Sequence, residues 1–150
     1  MRRSQLFSLS LAGLIVMIMI IAGCGKKGDP IPPQVKLPIV ADLTAVSLSE
    51  GIILRWSLNV QTEGVGGFKI LRSVTSRGDE ACPGCPQDYH PFLEVAITDE
   101  RLRREGTAGF RYIDTDVGGG SFYSYRIAVC NRARYCGEAS NEAGTIQTGK

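Results

Sequence analysis

"GIILRWSL", residues 51–58, places its apolar side chains at every second position. Successive side chains of a β-strand point to opposite faces, so this period of two predicts a strand with one buried face. The face expected in the core holds Ile52, Leu54, Trp56 and Leu58. The opposite face, with Ile53, Arg55 and Ser57, is expected to meet solvent.

The same alternation recurs on both sides of this stretch. In "SFYSYRIAVC", residues 121–130, the expected core face holds Tyr123, Tyr125, Ile127 and Val129. Shorter runs repeat the pattern at 39–48, 67–73, 92–98, 110–116 and 137–148. Glycine-containing turns separate these runs, which predicts an all-β fold: a seven-stranded antiparallel β-sandwich with one solvated face on each sheet. Residues 99–106 are interpreted as a loop, because Leu102 is their only apolar residue.

Several of these segments together resemble a fibronectin type III domain. They are "LTAVSLSEGIILRWSL", "GFKILRS", "FLEVA", "YIDTDVGGGSFYSYRIAV" and "GEASNEA", within a predicted domain of residues 39–150. The resemblance implies an immunoglobulin-like sandwich in which Trp56 is a core tryptophan. It also implies that the hydroxyl of Tyr123 bonds back to the backbone upstream, with Val117 in the position where that family has a leucine. Asp114 and Asp116 are interpreted as turn residues.

The N-terminus, residues 1–23, has the layout of a secretory signal peptide. Arg2 and Arg3 precede an apolar run, which ends in small residues at "IAGC", 21–24. A membrane-spanning helix is the alternative, since about eighteen apolar residues nearly cross a bilayer. "IAGC" resembles the lipobox of bacterial lipoproteins, and this implies cleavage before Cys24 and a lipid on the Cys24 thiol. Gly25, where an aspartate would favour the inner membrane, implies the outer membrane of the cell envelope.

Residues 24–38 are expected to form a tether between the lipid and the domain. They contain four prolines and no apolar period, and a polyproline-like chain of this length could reach roughly 40 Å. The whole chain has 17 Lys+Arg and 15 Asp+Glu. Removing the signal removes two arginines and no acid, which leaves 15 of each. A neutral domain lacks the basic field that nucleic-acid binding needs.

The most individual feature of the chain is a long insertion at 74–91, between the third and fourth predicted strands. Loops carry function more often than the scaffold does, although a surface loop also tolerates added length at little cost. Arg77, Asp79, Tyr89 and His90 are therefore the candidate partner-binding residues. In the implied fold this insertion lies at the opposite end of the sandwich from the chain entry and from the loop at 131–135.

Four cysteines remain when Cys24 carries the lipid, an even number in a compartment that permits disulfides. Cys130 ends the sixth predicted strand and Cys136 begins the seventh, so these two are expected to pair. Alternation places Cys130 on the solvent side. Cys82 and Cys85, in "CPGC", are expected to bond to each other or to stay a dithiol.

The sequence therefore predicts a lipid-anchored, non-catalytic envelope module without a cofactor or metal. It would bind the membrane through its lipid, and a protein or polysaccharide through its loops. The alternative is a small periplasmic redox or metal-binding lipoprotein using Cys82 and Cys85. "CPGC" has zinc-ligand spacing, with Cys130 and Cys136, or His90, as candidate further ligands.

Overall fold

A computed structural model describes residues 36–58, 64–76 and 87–148. These residues form nine strands, listed here in chain order: β1 (Thr44–Leu48), β2 (Gly51–Ser57), β3 (Val65–Thr75), β4 (His90–Ala96), β5 (Arg103–Glu105), β6 (Gly109–Asp114), β7 (Phe122–Asn131), β8 (Cys136–Ala139) and β9 (Ala143–Ile146). No helix within these ranges is long and apolar enough to span a membrane.

The strands form two antiparallel sheets. One has the order β1-β2-β6-β5, and the other has the order β4-β3-β7-β8, with β9 also pairing with β7. The all-β class and the two antiparallel sheets predicted from the alternation are thus confirmed. β3 pairs with β7 along its whole length, from Val65 opposite Asn131 to Thr75 opposite Phe122.

The core consists of the alternating residues that the sequence indicated. The predicted core faces of β2 and β7 are buried, and Leu58, just after β2, is only 3% exposed. Trp56, Phe68 and Phe110 form an aromatic cluster with ring centroids 4.9–6.0 Å apart. Burying one such side chain contributes roughly 1.5–3 kcal/mol of apolar transfer free energy, so the three rings favour the packing of the two sheets.

Ile53 does not meet solvent as the alternation predicted. It is only 5% exposed, although it lies on the outer face of its sheet. Ile53 stands directly opposite Val46 on β1 and Ile113 on β6. These neighbours form an apolar row across three strands, and a single strand's pattern does not reveal a row of this kind.

Two differences raise the strand number from the predicted seven to nine. The first is β5, which pairs with β6 in a segment interpreted as a loop. Its three residues are charged and exposed, so they carry no apolar period. The second is the final segment, which divides into β8 and β9.

The break between β8 and β9 allows Asn141 to reach the other sheet. Its side-chain amide accepts a bond from Leu43 N at 3.0 Å and donates to Leu43 O at 2.9 Å. Gln147 makes a similar link, donating to Leu48 O at 3.0 Å. Two amide side chains from the end of the chain therefore bond the backbone at both ends of β1, an edge strand.

Tyr123 makes the bond that the resemblance implied. Its hydroxyl accepts a hydrogen bond from Gly118 N at 2.7 Å, and Val117 is buried beside it. This bond fixes the turn between β6 and β7.

Candidate functional site

The hairpin between β7 and β8 is closed at its base by a disulfide. Cys130 and Cys136 are directly opposite in the register and are bonded, as the sequence predicted. Alternation placed Cys130 on the solvent side, but the residue is only 8% exposed, and its sulfur is bonded to Cys136. A closed loop this short contributes roughly 2 kcal/mol in the chain-entropy model.

The tip of this hairpin is a three-residue turn, 132–134. Asn131 N donates to Tyr135 O at 2.9 Å, and Arg134 N donates to Asn131 O at 3.0 Å. The side-chain oxygen of Asn131 also accepts bonds from the backbone N–H groups of Ala133 and Tyr135. Two backbone hydrogen bonds, two hydrogen bonds to the Asn131 side chain and a disulfide all hold the same loop, so its shape is set before any ligand arrives.

Arg134 has a left-handed backbone, with φ of 65°, and is the only described non-glycine residue with positive φ. A three-residue hairpin commonly requires this conformation at its third position, where glycine is favoured. A side chain in the left-handed region costs about 1 kcal/mol relative to glycine. The chain therefore keeps an arginine where the backbone favours glycine.

The hairpin presents side chains that the sandwich does not use. Arg132 and Arg134 are exposed, and Tyr135 is 61% exposed. Most of the described arginines lie in ion pairs or over an aromatic ring. Among the residues that the structure describes, Arg103, Arg132 and Arg134 do neither, and two of these three are on the hairpin.

A cleft of about 400 Å³ lies beside the hairpin. Its walls come from the start of β3, the end of β4, the segment after β4 and the hairpin itself. The lining residues are Gly66, Gly67, Phe68, Glu94, Val95, Ala96, Asp99, Cys130, Asn131, Arg132 and Arg134. Gly66 and Gly67 let the strands approach closely here, since a Cβ on either would collide with the backbone of Asn131 or Val95.

The two acids of the cleft are already paired with cations. Glu94 lies 3.7 Å from Lys69. Asp99 accepts hydrogen bonds from the side chain of Arg101 at 2.7 and 3.0 Å and from its backbone N–H at 2.9 Å. These bonds lower the pKa of Asp99 to about 2. Neither acid forms an ion pair with Arg132 or Arg134, which therefore leave the cleft with uncompensated positive charge.

The predicted partner residues Tyr89 and His90 lie at the other end of the sandwich. The hydroxyl of Tyr89 is 2.7 Å from Ser124 Oγ, and the guanidinium of Arg126 lies 4.5 Å from its ring centroid. The His90 side chain is 74% exposed, with Nε2 3.2 Å from Asp88 Oδ2. Tyr89 is thus held on the outer face of its sheet, while His90 is open to solvent.

The sandwich separates the two ends as the resemblance implied. β3 begins opposite Asn131 and ends opposite Phe122, so the connection to β4 starts about 30 Å from the hairpin. The described chain enters at the hairpin end, where Leu37 packs over Gly137. Cys24, Arg77, Asp79, Cys82 and Cys85 lie outside the described residues.

The disulfide removes two thiols from the candidate zinc ligands. Cys130 and Cys136 are bonded to each other and supply no thiolate. Within the described ranges no group of three or more His, Cys, Asp or Glu side chains could hold a metal ion.

No protein-family model and no curated protein matches the chain. Among solved structures, the crystal structure of a β-1,2-glucanase from Parabacteroides distasonis is 16% identical with a TM-score of 0.43, and the match covers 77% of this chain and 14% of that one. Astrotactin-2, a vertebrate-specific, perforin-like membrane protein, is 8% identical with a TM-score of 0.48, and the match covers 75% and 22%. This chain is therefore similar to a small part of much longer proteins, and likenesses this distant say nothing about its activity.

The sequence indicated only part of this site. The cysteine spacing in "CNRARYC", 130–136, predicted the disulfide that closes this loop. It did not indicate the cleft, because Glu94 and Asp99 are brought near the hairpin only by the pairing of β4 with β3 and of β3 with β7. The left-handed backbone of Arg134 could have been suspected from the sequence, because the tight turn between the paired cysteines contains no glycine.

Proposed function

We propose that the chain is a lipid-anchored module of the bacterial cell envelope, with a fibronectin type III-like sandwich that binds a partner through its loops and catalyses no reaction. The anchor is the lipid on Cys24, and the membrane is the outer membrane. The partner is an envelope protein or polysaccharide.

The observation that carries this proposal is the disulfide-braced hairpin. A disulfide is typical of proteins outside the reducing cytoplasm, which supports export by the signal at residues 1–23. The braced loop presents exposed arginine and tyrosine side chains, the types enriched at the centres of protein interfaces. The bond between Tyr123 and Gly118 supports the fibronectin type III likeness.

The alternative, a redox or metal-binding lipoprotein using Cys82 and Cys85, has less support. Its four-cysteine form needs Cys130 and Cys136 as thiolates, and these form a disulfide. No described contact favours the alternative.

Photo-crosslinking in cells that produce the full chain tests the proposal. A photoreactive amino acid replaces Tyr135 on the hairpin or Arg103 on the edge of the other sheet. Both positions are exposed, so Arg103 serves as the matched control. We expect a covalent adduct of defined mass from position 135, lost when Cys24→Ser prevents anchoring. An equal adduct from both positions, or none from position 135, would contradict the proposal.

A further inference from the structure

We propose that the hairpin at 131–135 and the adjacent cleft bind an extended, carboxylate-rich segment of a protein partner. This inference rests on the proposed function, since it assigns the hairpin as the contact surface of the module. It adds a specific site and the chemistry of the ligand.

Three of the free polar groups on the hairpin, those of Asn131, Arg132 and Arg134, can only donate hydrogen bonds, while the hydroxyl of Tyr135 can also accept one. The guanidinium groups of Arg132 and Arg134 make no described ion pair or hydrogen bond. The side-chain oxygen of Asn131 is occupied by two backbone N–H groups, which leaves its amide nitrogen to donate. Groups that only donate, two of them cationic, select a ligand that accepts and is anionic. An arginine fork matches a carboxylate in both charge and geometry.

The two acids of the cleft do not oppose the binding of an anion, because each is paired with a cation. Glu94 and Asp99 line the same cleft, and they would repel an anion if they were unpaired. Lys69 and Arg101 offset their charges instead. Among the charged residues that line the cleft, Arg132 and Arg134 are therefore the two without an ion-pair partner.

The shape of the site favours a protein segment over a lipid surface. A flat bilayer cannot enter a cleft between strands, whereas single side chains of an extended peptide can. For a neutral saccharide, the lining of the cleft offers no exposed aromatic face, and stacking on the exposed ring of Tyr135 would leave the charges of Arg132 and Arg134 unmatched. Phe68 is the only aromatic residue that lines the cleft, and it is 1% exposed.

The rigidity of the hairpin is also what a peptide site needs. The disulfide and the bonds to Asn131 order the loop before binding, which lowers the entropic cost of association. Arg134 occupies a position that favours glycine. The backbone gains nothing from the arginine, so its side chain is the feature that a ligand would use.

The test measures binding of a fluorescent octaglutamate peptide to the full-length chain in detergent micelles, by anisotropy at low and high salt. Arg132→Gln and Arg134→Gly are each expected to weaken binding by about tenfold, the loss of one charge-assisted hydrogen bond. Arg103→Gln is the matched control, an arginine equally free of ion pairs but on the other sheet, and it should leave affinity unchanged. Octagalacturonate and anionic lipid vesicles serve as competitors.

The inference is supported if octaglutamate binds, if both hairpin variants weaken it, and if the control does not. It is overturned if octaglutamate does not bind, or if Arg132→Gln binds it as tightly as the wild type does. It is also overturned if Arg103→Gln weakens binding as much as the hairpin variants do. Tighter binding of octagalacturonate or of vesicles would also overturn it, by assigning the site to a polysaccharide or a membrane. Lipidation at Cys24 is measured on the same sample, so failure here with lipid present leaves the proposed function standing.

Discussion

The guanidinium of Arg72 on β3 lies 2.9 Å from the carboxylate of Asp114 on β6 and links the two sheets through the core. Asp114 is fully buried. Its carboxylate also accepts a bond from the hydroxyl of Tyr125 at 2.8 Å and one from Asp116 N at 2.9 Å. Burial, together with the charge of Asp114, raises the pKa of Tyr125, so that hydroxyl stays protonated and donates.

Replacing Asp114 by asparagine should destabilise the domain by about 2–4 kcal/mol, because it leaves a partly buried guanidinium without its closest counter-charge. Asp116→Asn is the matched control. Asp116 pairs with the same guanidinium at 3.2 Å, but its side chain is 82% exposed, so its loss should cost less than about 1 kcal/mol. Urea unfolding of both variants measures the difference. Equal losses would show that burial of Asp114 does not strengthen the link.

The Tyr123 hydroxyl offers a second test of the scaffold. Tyr123→Phe removes the acceptor of Gly118 N and should cost about 1–2 kcal/mol in the free energy of unfolding. Tyr112→Phe is the control, since Tyr112 is also buried and its hydroxyl makes no hydrogen bond among the described residues. Thermal unfolding should show a clear drop for the first variant and little change for the second. A drop of the same size in both would mean that the bond to Gly118 contributes nothing specific.

The left-handed conformation at Arg134 gives a prediction in the opposite direction. Arg134→Gly should raise the free energy of unfolding by up to about 1 kcal/mol, because glycine adopts this conformation without steric cost. Arg134→Ala removes the same charge but keeps a Cβ, so it should not stabilise the domain. Chemical denaturation of the two variants separates strain from charge. If Arg134→Ala stabilised the domain as much as Arg134→Gly does, the left-handed conformation at this position would not be a source of strain.

The pKa of Asp99 can be measured directly by NMR. Its carboxylate should titrate near pH 2, against an ordinary value of 3.8, because Arg101 donates to the charged form. This lowered pKa stabilises the folded state fully above about pH 4, and the contribution is lost as the pH falls through about 2. Arg101→Gln should return the pKa of Asp99 towards its ordinary value, while Arg103→Gln should not. An ordinary pKa for Asp99 in the wild type would mean that the cleft holds a weakly paired acid.

Features that depend on residues close together in the chain could be predicted from the sequence. The buried faces of β2 and β7 follow from a period of two, and the disulfide follows from cysteines at the two sides of one hairpin. Arg72 and Asp114 could not be paired in this way, because 42 residues separate them and only the sheet packing brings them together. Ile53 was misassigned for the same reason, since its cover comes from strands on either side.

The cleft was beyond sequence reasoning because no single segment contains it. Glu94 belongs to a strand and Asp99 to the turn after it, while Arg132 and Arg134 belong to a hairpin that is distant in the chain. Each residue type is ordinary by itself. The cleft is positive because its acids are paired with Lys69 and Arg101, while Arg132 and Arg134 have no ion-pair partner. These pairings depend on distances between side chains, which a sequence does not give.

The mass of the mature protein purified from bacterial membranes is the most direct test of the proposed anchored, exported module. We expect a chain that begins at Cys24, carries lipid on that residue, and contains the Cys130–Cys136 disulfide. Cys24→Ser should instead give an unprocessed chain without lipid. A wild-type chain that retains residues 1–23, or that begins at an unmodified Cys24, would contradict the proposed lipid anchor.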